Sequence, residues 1–269
     1  MNLLQLRHGE ERNASFCIES IKSYICKKIK SMTLDLCPSP ALYPFYKKEN
    51  DTLIVVDIFR ASTTICAMLQ NGASGVITVA GTETARQYKS AGFLVGAERN
   101  TRKCDFADFG NSPFDYRREL VEGKEIVFTT TNGTIAIEVG QESRMLLIGA
   151  FSNIDLLVNR CMEEGERIVI LCAGWNNRMN MEDTLFGGAF AEKLSEKCEV
   201  MFGSDAIRIA LELWQKAKSD PLAYLKKSDH YQRLINNGVE SDAAYCLLQN
   251  SVSVVPLFNK TDKIIRVSV

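Results

Sequence analysis

Short apolar runs recur along this chain, and helical patterns separate them. Residues 53–56, 75–80, 93–97, 125–129, 145–149 and 167–172 read as strands. Between them, 61–70 reads as a helix that Gly72 can end, and 82–91 as a helix with Thr82 as cap and Gly92 as stop. A short helix begins near Gly133, another spans 153–164 before Gly165, and a longer one covers 182–194. Strands with almost no polar interior need both faces covered, and helices inserted between successive strands provide that cover. The expected fold class is α/β: a three-layer α/β/α arrangement with a largely parallel or mixed sheet built from strand–loop–helix units. Residues 33–37 read as an earlier strand, 204–250 as a helical C-terminal region and 264–269 as a last strand. No repeat with a period of 20 to 50 residues is evident.

Composition bounds what this fold can do. The chain has 269 residues, 46% of them apolar, enough to bury a substantial core. Its net charge of −1 gives no reason to expect nucleic acid or an anionic membrane as partner. No apolar stretch approaches the roughly 18 residues needed to span a bilayer. Nine scattered cysteines lack disulfide-framework or zinc spacing, which suggests free thiols and a cytoplasmic location. Residues 1–31 differ in composition from the remainder of the chain and read as an N-terminal extension. The functional domain is expected over 32–269, as one body or two subdomains. The apolar Ile207, Ala210, Leu211 and Trp214 lie at helical spacing, which suits core or an oligomer face, and a homo-oligomer such as a dimer is expected.

Three strand-to-helix loops carry chemistry. In the first, Val55-Val56-Asp57-Ile58-Phe59-Arg60-Ala61-Ser62-Thr63-Thr64, an apolar strand stops on a carboxylate, an arginine and three hydroxyls. Asp57 could hold a metal, Arg60 could grip an oxyanion in a fork, and Ser62, Thr63 and Thr64 could add donors. The same residue types are also ordinary helix caps. The second loop, Thr129-Thr130-Thr131-Asn132-Gly133-Thr134, offers hydroxyls and backbone amides to an anion without charge, or is simply a Thr-rich strand end with an Asn-Gly turn. The third runs from Ala173 to Asp183, where Glu182 and Asp183 suit the first turn of a helix or a divalent cation. Gly96-Ala97-Glu98-Arg99 and Asp108-Phe109-Gly110-Asn111-Ser112-Pro113 lie between the first two.

The order V-V-D-I-F-R-A-S-T-T, G-A-E-R, G-N-S-P, T-T-T-N-G-T and then C-A-G followed by E-D-T resembles the 2-phosphosulfolactate phosphatase family, from about Met32 to the C-terminus. That resemblance implies a magnesium-dependent α/β phosphatase acting on small anionic substrates, the 2-phosphorylated hydroxy acids. Its named substrate is (R)-2-phospho-3-sulfolactate, in coenzyme M biosynthesis. It makes Asp57 with the Glu182-Asp183 pair candidates for Mg²⁺. Arg60, Ser62, Thr63, Thr64, Thr130, Thr131, Asn132 and Gly133 become candidates for phosphate. Glu98, Arg99 and Asn111 become candidates for the other end of the substrate or for the attacking water. Asp57, Glu98 and Arg60 then form the catalytic set, with Asp57 either a metal ligand or a nucleophile that takes the phosphoryl group. Asn100 and Thr101 stand where family members often carry glycines, which bears on how that loop meets a ligand.

Two motifs point elsewhere. Arg7-His8-Gly9 resembles the nucleophile motif of histidine phosphatases, but His230 lacks the surroundings expected of the second histidine they need. Cys172 to Arg178 is a C-x5-R match after a strand, the pattern by which cysteine phosphatases cradle phosphate. A non-catalytic anion-binding or sensor domain would also use helix termini and Thr-rich loops. Trp175 and Trp214 read as packing residues, and Lys216, Lys218, Lys226 and Lys227 as solvated ones.

Overall fold

The computed structural model describes residues 31–268; the expected extension, over residues 1–31, lies outside that span except for Ser31, and so does His8. Eleven strands form one mixed sheet: β1 (Ser31–Cys37), β2 (Thr52–Val56), β3 (Gly75–Thr78), β4 (Leu94–Arg99), β5 (Arg102–Lys103), β6 (Glu125–Thr129), β7 (Met145–Gly149), β8 (Arg167–Cys172), β9 (Glu199–Phe202), β10 (Pro256–Asn259) and β11 (Ile264–Val267). The main helices are α1 (Ala61–Gln70), α2 (Thr82–Ser90), α3 (Gly133–Gly140), α4 (Ile154–Glu164), α5 (Met181–Ser195), α6 (Asp205–Ala217), α7 (Pro221–Leu225), α8 (Asp229–Asn236) and α9 (Ser241–Cys246). The α/β class, the mixed sheet and the helical C-terminal region agree with the sequence pattern. Among the described residues no helix is long and apolar enough to cross a membrane.

Two parallel blocks make up the sheet. In one, β7 pairs with β2, β2 with β8 and β8 with β1; in the other, β3 and β4 both pair with β6. The C-terminal hairpin of β10 and β11 joins them, antiparallel to β7 on one side and to β3 on the other. The sequence pattern adds 264–269 as a last strand; in the structure the chain end fills the middle of the sheet. Nothing local announces that position, because β10 is four residues long and opens on a proline.

Strand parity sorts the core. On β2, Ile54 and Val56 pack with Ile168, Ile170 and Cys172 of β8 beneath α4, α5 and α6, whereas Leu53 and Val55 pack with Val169 and Leu171 on the other face. That second core contains Ile65 and Met68 of α1 and Ala136 and Ile137 of α3, and also Val76, Ile126 and Phe128 from the other block. Both blocks therefore bury residues against the same two helices, and the chain after β6 comes close to the chain after β2. Burial of this kind contributes about 25 cal/mol per Å² of apolar surface.

Some local details differ from expectation. Helix α2 starts at Thr82, but its N-cap is Gly81 and no side chain caps it. Gly165 follows α4 in an extended conformation, not a left-handed one. The loop after β4 carries the β5 hairpin arm and a one-turn 3-10 helix at Pro113–Asp115.

Candidate active site

The loop between β2 and α1 is held by its own hydrogen bonds. The Asp57 amide donates to Ser62 Oγ at 2.6 Å, and the Ser62 amide returns a bond to the Asp57 carbonyl at 3.1 Å. Thr63 Oγ1 donates to the Ile58 carbonyl at 3.1 Å, and Thr64 Oγ1 to the Asn111 carbonyl at 2.9 Å. Arg60 caps α1 at φ 105° and ψ −67°, a sparsely populated conformation for a residue with a Cβ. Such backbone costs about 1–3 kcal/mol and persists where its surroundings over-determine it, most often at functional sites.

Asp57 and Arg60 face a narrow cleft shared with Glu98, Thr101, Asn111, Thr131 and Asn132. Phe59, Trp175 and His230 complete its wall. Segments following β2, β4, β6 and β8 thus meet at one place. Gly133, the first residue of α3, permits the closest approach: a Cβ there would lie 2.8 Å from Asp57 Oδ2 and 2.7 Å from the Ala61 Cβ. Any side chain at 133 would push the Thr-rich loop away from Asp57.

Glu98 is fixed by three donors, the Thr101 amide, the Thr131 amide at 3.3 Å and Thr131 Oγ1 at 3.0 Å. Arg60 is 4% exposed and makes one long bond, from Nη1 to the Thr101 carbonyl at 3.3 Å. Asp242 lies 4.0 Å from the same nitrogen, and Arg60 Nε has no hydrogen-bond partner. The guanidinium therefore has donor capacity toward the cleft. Asn111 is buried at the cleft wall, and its Oδ1 also lacks a partner.

Glu182 and Asp183, in the first turn of α5, are fully buried. Asp183 Oδ1 accepts from the Ile58 amide at 2.8 Å and Oδ2 from the Gly174 amide at 3.2 Å, so this carboxylate ties the loop after β2 to the loop after β8. Glu182 Oε1 lies 2.6 Å from His230 Nδ1, while Oε2 has no partner. Burial, then the neighbouring Asp183, Glu182 and Glu98 carboxylates, push the Asp57 carboxyl well above its ordinary range; Arg60 offsets only part. Burial and Glu182 raise Asp183 to about 7 against the pull of its hydrogen-bond donors.

The structure separates the expected site residues into two sets. Asp57, Arg60, Glu98, Asn111, Thr131 and Asn132 share the cleft. Ser62, Thr63, Thr64 and Thr130 are buried beside it and brace backbone. The hydroxyl protons of Thr63 and Thr64 go to main-chain carbonyls here. Arg99 is engaged in the same way. Its guanidinium donates to the Glu98 carbonyl at 2.6 Å, and to the Ala80 carbonyl and Thr129 Oγ1 at 2.8 Å each, holding strand ends together.

Cys172 does not make a phosphate loop with Arg178. Its side chain is fully buried in the core between β8 and the helices, and burial together with Asp183 and other neighbouring acids raises the thiol well above its ordinary value. A thiol held protonated is not a nucleophile. The next residues form a tight turn instead: Trp175 and Arg178 exchange backbone hydrogen bonds at 2.9 Å around left-handed Asn176 and Asn177.

Residues 37–261 match the family described as 2-phosphosulpholactate phosphatase. The chain belongs to this family. A probable 2-phosphosulfolactate phosphatase of Thermotoga petrophila is 37% identical over 208 residues, 77% of this chain and 89% of the relative. A protein of the same name from Clostridium novyi is 31% identical over 231 residues, 85% and 97% of the two chains, and one from Clostridium acetobutylicum is 30% identical over 230 residues. The family's named members are phosphoric monoester hydrolases. The 2-phosphosulfolactate phosphatase match spans all the loops that meet at the cleft.

Reading the sequence missed His230, Trp175 and Asp242. His230 stands edge-on to Phe59, with ring centroids 5.5 Å apart, and bonds Glu182 from α8, 48 residues further along. No local pattern marks it: its neighbours read as a solvated helix, and only the packing of α8 over the strand ends gives it a place in the cleft. Trp175 has one local cue, the loop after a strand that also leads to Glu182 and Asp183.

Proposed function

We propose that this chain hydrolyses the phosphate ester of 2-phosphorylated hydroxy acids, with (R)-2-phospho-3-sulfolactate giving 3-sulfolactate and phosphate, and that the reaction depends on Mg²⁺. The observation that carries this reading is the pairing of Asp57 with Arg60 in one cleft at a strand end of a chain in this family. Phosphate-monoester hydrolysis is among the slowest uncatalysed reactions, and positioning with charge neutralisation are the main ways to accelerate it.

The electrostatics support a divalent cation. Asp57, Glu182 and Asp183 are buried together with Arg60 as the cation acting on Asp57, and Glu182 Oε2 has no partner. Concentrating carboxylates in a dry site is costly unless a positive charge joins them. Among the described residues no group of three or more His, Cys, Asp or Glu side chains has the geometry to hold a metal by itself. Mg²⁺ is commonly held by one or two carboxylates together with substrate phosphate and water. Asp57 with Glu182 would hold it, and Asp183, whose two oxygens already brace amides, would act behind them. When bound, the ion supplies polarisation of the phosphoryl oxygens. Arg60 directs its free N–H groups at those oxygens, and Glu98, locked by three donors, orients the attacking water. In a covalent variant Asp57 itself takes the phosphoryl group before water releases it.

The test is phosphate release from a panel of 2-phosphorylated hydroxy acids with Mg²⁺ or with EDTA. Mg²⁺-dependent release is expected, reduced on the order of a hundredfold or more by chelation. Absence of metal-dependent release from every member would favour an anion-binding or sensor domain.

A further inference from the structure

Past the Trp175 and His230 rings lies a second compartment, lined in part by Arg178, Lys227 and Arg233. The two rings line both spaces, so the compartment adjoins the cleft that holds Asp57 and Arg60. Fold topology gathers the three cations: Arg178 comes from the turn after β8, Lys227 from between α7 and α8, and Arg233 from α8.

Among the described residues none of the three forms an ion pair within 4.0 Å. Arg233 stacks 3.9 Å above the Trp175 ring, and its Nε is buried without a hydrogen-bond partner. Lys227 Nζ sits 3.8 Å over the Tyr224 ring. An aromatic face holds a cation in place while leaving its N–H groups available to an anion. Two acids line the same compartment, Glu182, which is tied to His230, and Asp229. Glu182, Asp229 and Asp57 all act on Arg233, and among the groups lining the recess the three cations outnumber the two acids, which leaves room for an oxyanion. Arg99, expected to hold the far end of the substrate, is occupied by carbonyl and hydroxyl acceptors.

We propose that this compartment binds the non-phosphate end of the substrate, a sulfonate or carboxylate oxyanion, through Arg233 aided by Arg178 and Lys227, and thereby sets substrate choice. The proposal rests on the phosphatase reading for its substrate class. Arg60 takes the phosphate, the His230 and Trp175 rings flank the short carbon chain, and the Arg233 guanidinium meets the second anion in its own plane.

Calorimetric binding to the full chain tests this without turnover. The probes are 3-sulfolactate, malate, which has a carboxylate in place of the sulfonate, and inorganic phosphate. Arg233→Met is expected to weaken 3-sulfolactate binding by about tenfold to a hundredfold, the effect of one lost charge-assisted contact, while phosphate affinity shifts by less than about twofold. Arg178→Met, on an exposed turn, gives a smaller loss in the same direction, and Arg233→Lys recovers part of it. Parallel loss of malate binding supports recognition of either oxyanion; unchanged malate binding supports recognition of the sulfonate. Unaltered 3-sulfolactate affinity in both Met variants, no binding of it by the parent chain, or an equal loss of phosphate affinity would overturn the proposal. Failure to hydrolyse any phosphate ester would instead remove the phosphatase reading and leave the binding result standing.

Discussion

Strands β2 and β8 are parallel neighbours in register, with Val56 opposite Cys172, and each leads into a loop that resembles a phosphatase motif. Their ends differ completely. Beyond Val56 the chain leaves the strand, and Asp57 faces the cleft beside Arg60. Cys172 is still part of its strand, and parity turns it into the core with Ile168 and Ile170. A reactive residue type at a strand end is therefore not enough: one step along the chain separates a side chain in a cleft from one in the core. Asp183 links the two loops, taking an amide from each, so the loop after β8 helps to fix the other.

The comparison breaks most readily at its two ends. Asp57→Asn is expected to lower kcat by on the order of a thousandfold or more whether Asp57 acts on a metal or as nucleophile. Cys172→Ala should keep kcat within about threefold and lower stability by about 1 kcal/mol, because only a small buried group is lost. Phosphate-release kinetics and urea unfolding measure both. An active Asp57→Asn enzyme, or a folded but dead Cys172→Ala enzyme, would reverse the roles assigned to the two strand ends.

A smaller effect concerns the acids between those ends. Asp183 rises from its ordinary 3.8 to about 7 in the folded chain, and Asp57 rises with it. Folded carboxyls that hold protons more tightly than unfolded ones add stability as pH falls, and the added stability disappears as pH climbs through the folded value. Without metal, the stability of the parent chain relative to Asp183→Asn should therefore increase as pH is lowered from about 7 toward 4. Saturating Mg²⁺ should flatten that dependence by favouring the charged forms. Thermal unfolding of both chains across this window, with and without Mg²⁺, gives the slope, and a slope of opposite sign would mean the acids are not under mutual strain.

The smallest effect sharpens the division between cleft and brace. Thr63→Val removes a hydroxyl that donates to the Ile58 carbonyl, and about 1 kcal/mol of stability should go with it. KM should change by less than about twofold, because the hydroxyl serves the loop and not the ligand. A large rise in KM at unchanged stability would return Thr63 to the phosphate site.

Most of the strand and helix order was legible from apolar periodicity, since β6, β7 and β8 begin and end where the pattern changes. What escaped was short or distant: β9 and β10 hold four residues each, and the central place of the β10–β11 hairpin depends on pairings with strands more than 100 residues away. The cleft was legible to the same extent. Asp57, Arg60 and Glu98 stand in recognisable strand-end motifs, whereas His230 and Arg233 lie on an amphipathic helix with no motif of its own.

By itself the sequence determined the family, the alternation of strands and helices, and the loops that carry polar chemistry, because these depend on residue type and near neighbours. Only the tertiary structure decided which polar groups face the cleft and which hold the backbone. Thr63, Thr64 and Arg99 carry the same donors whether they meet a ligand or a carbonyl, and the choice rests on which acceptor the folded chain places within about 3 Å.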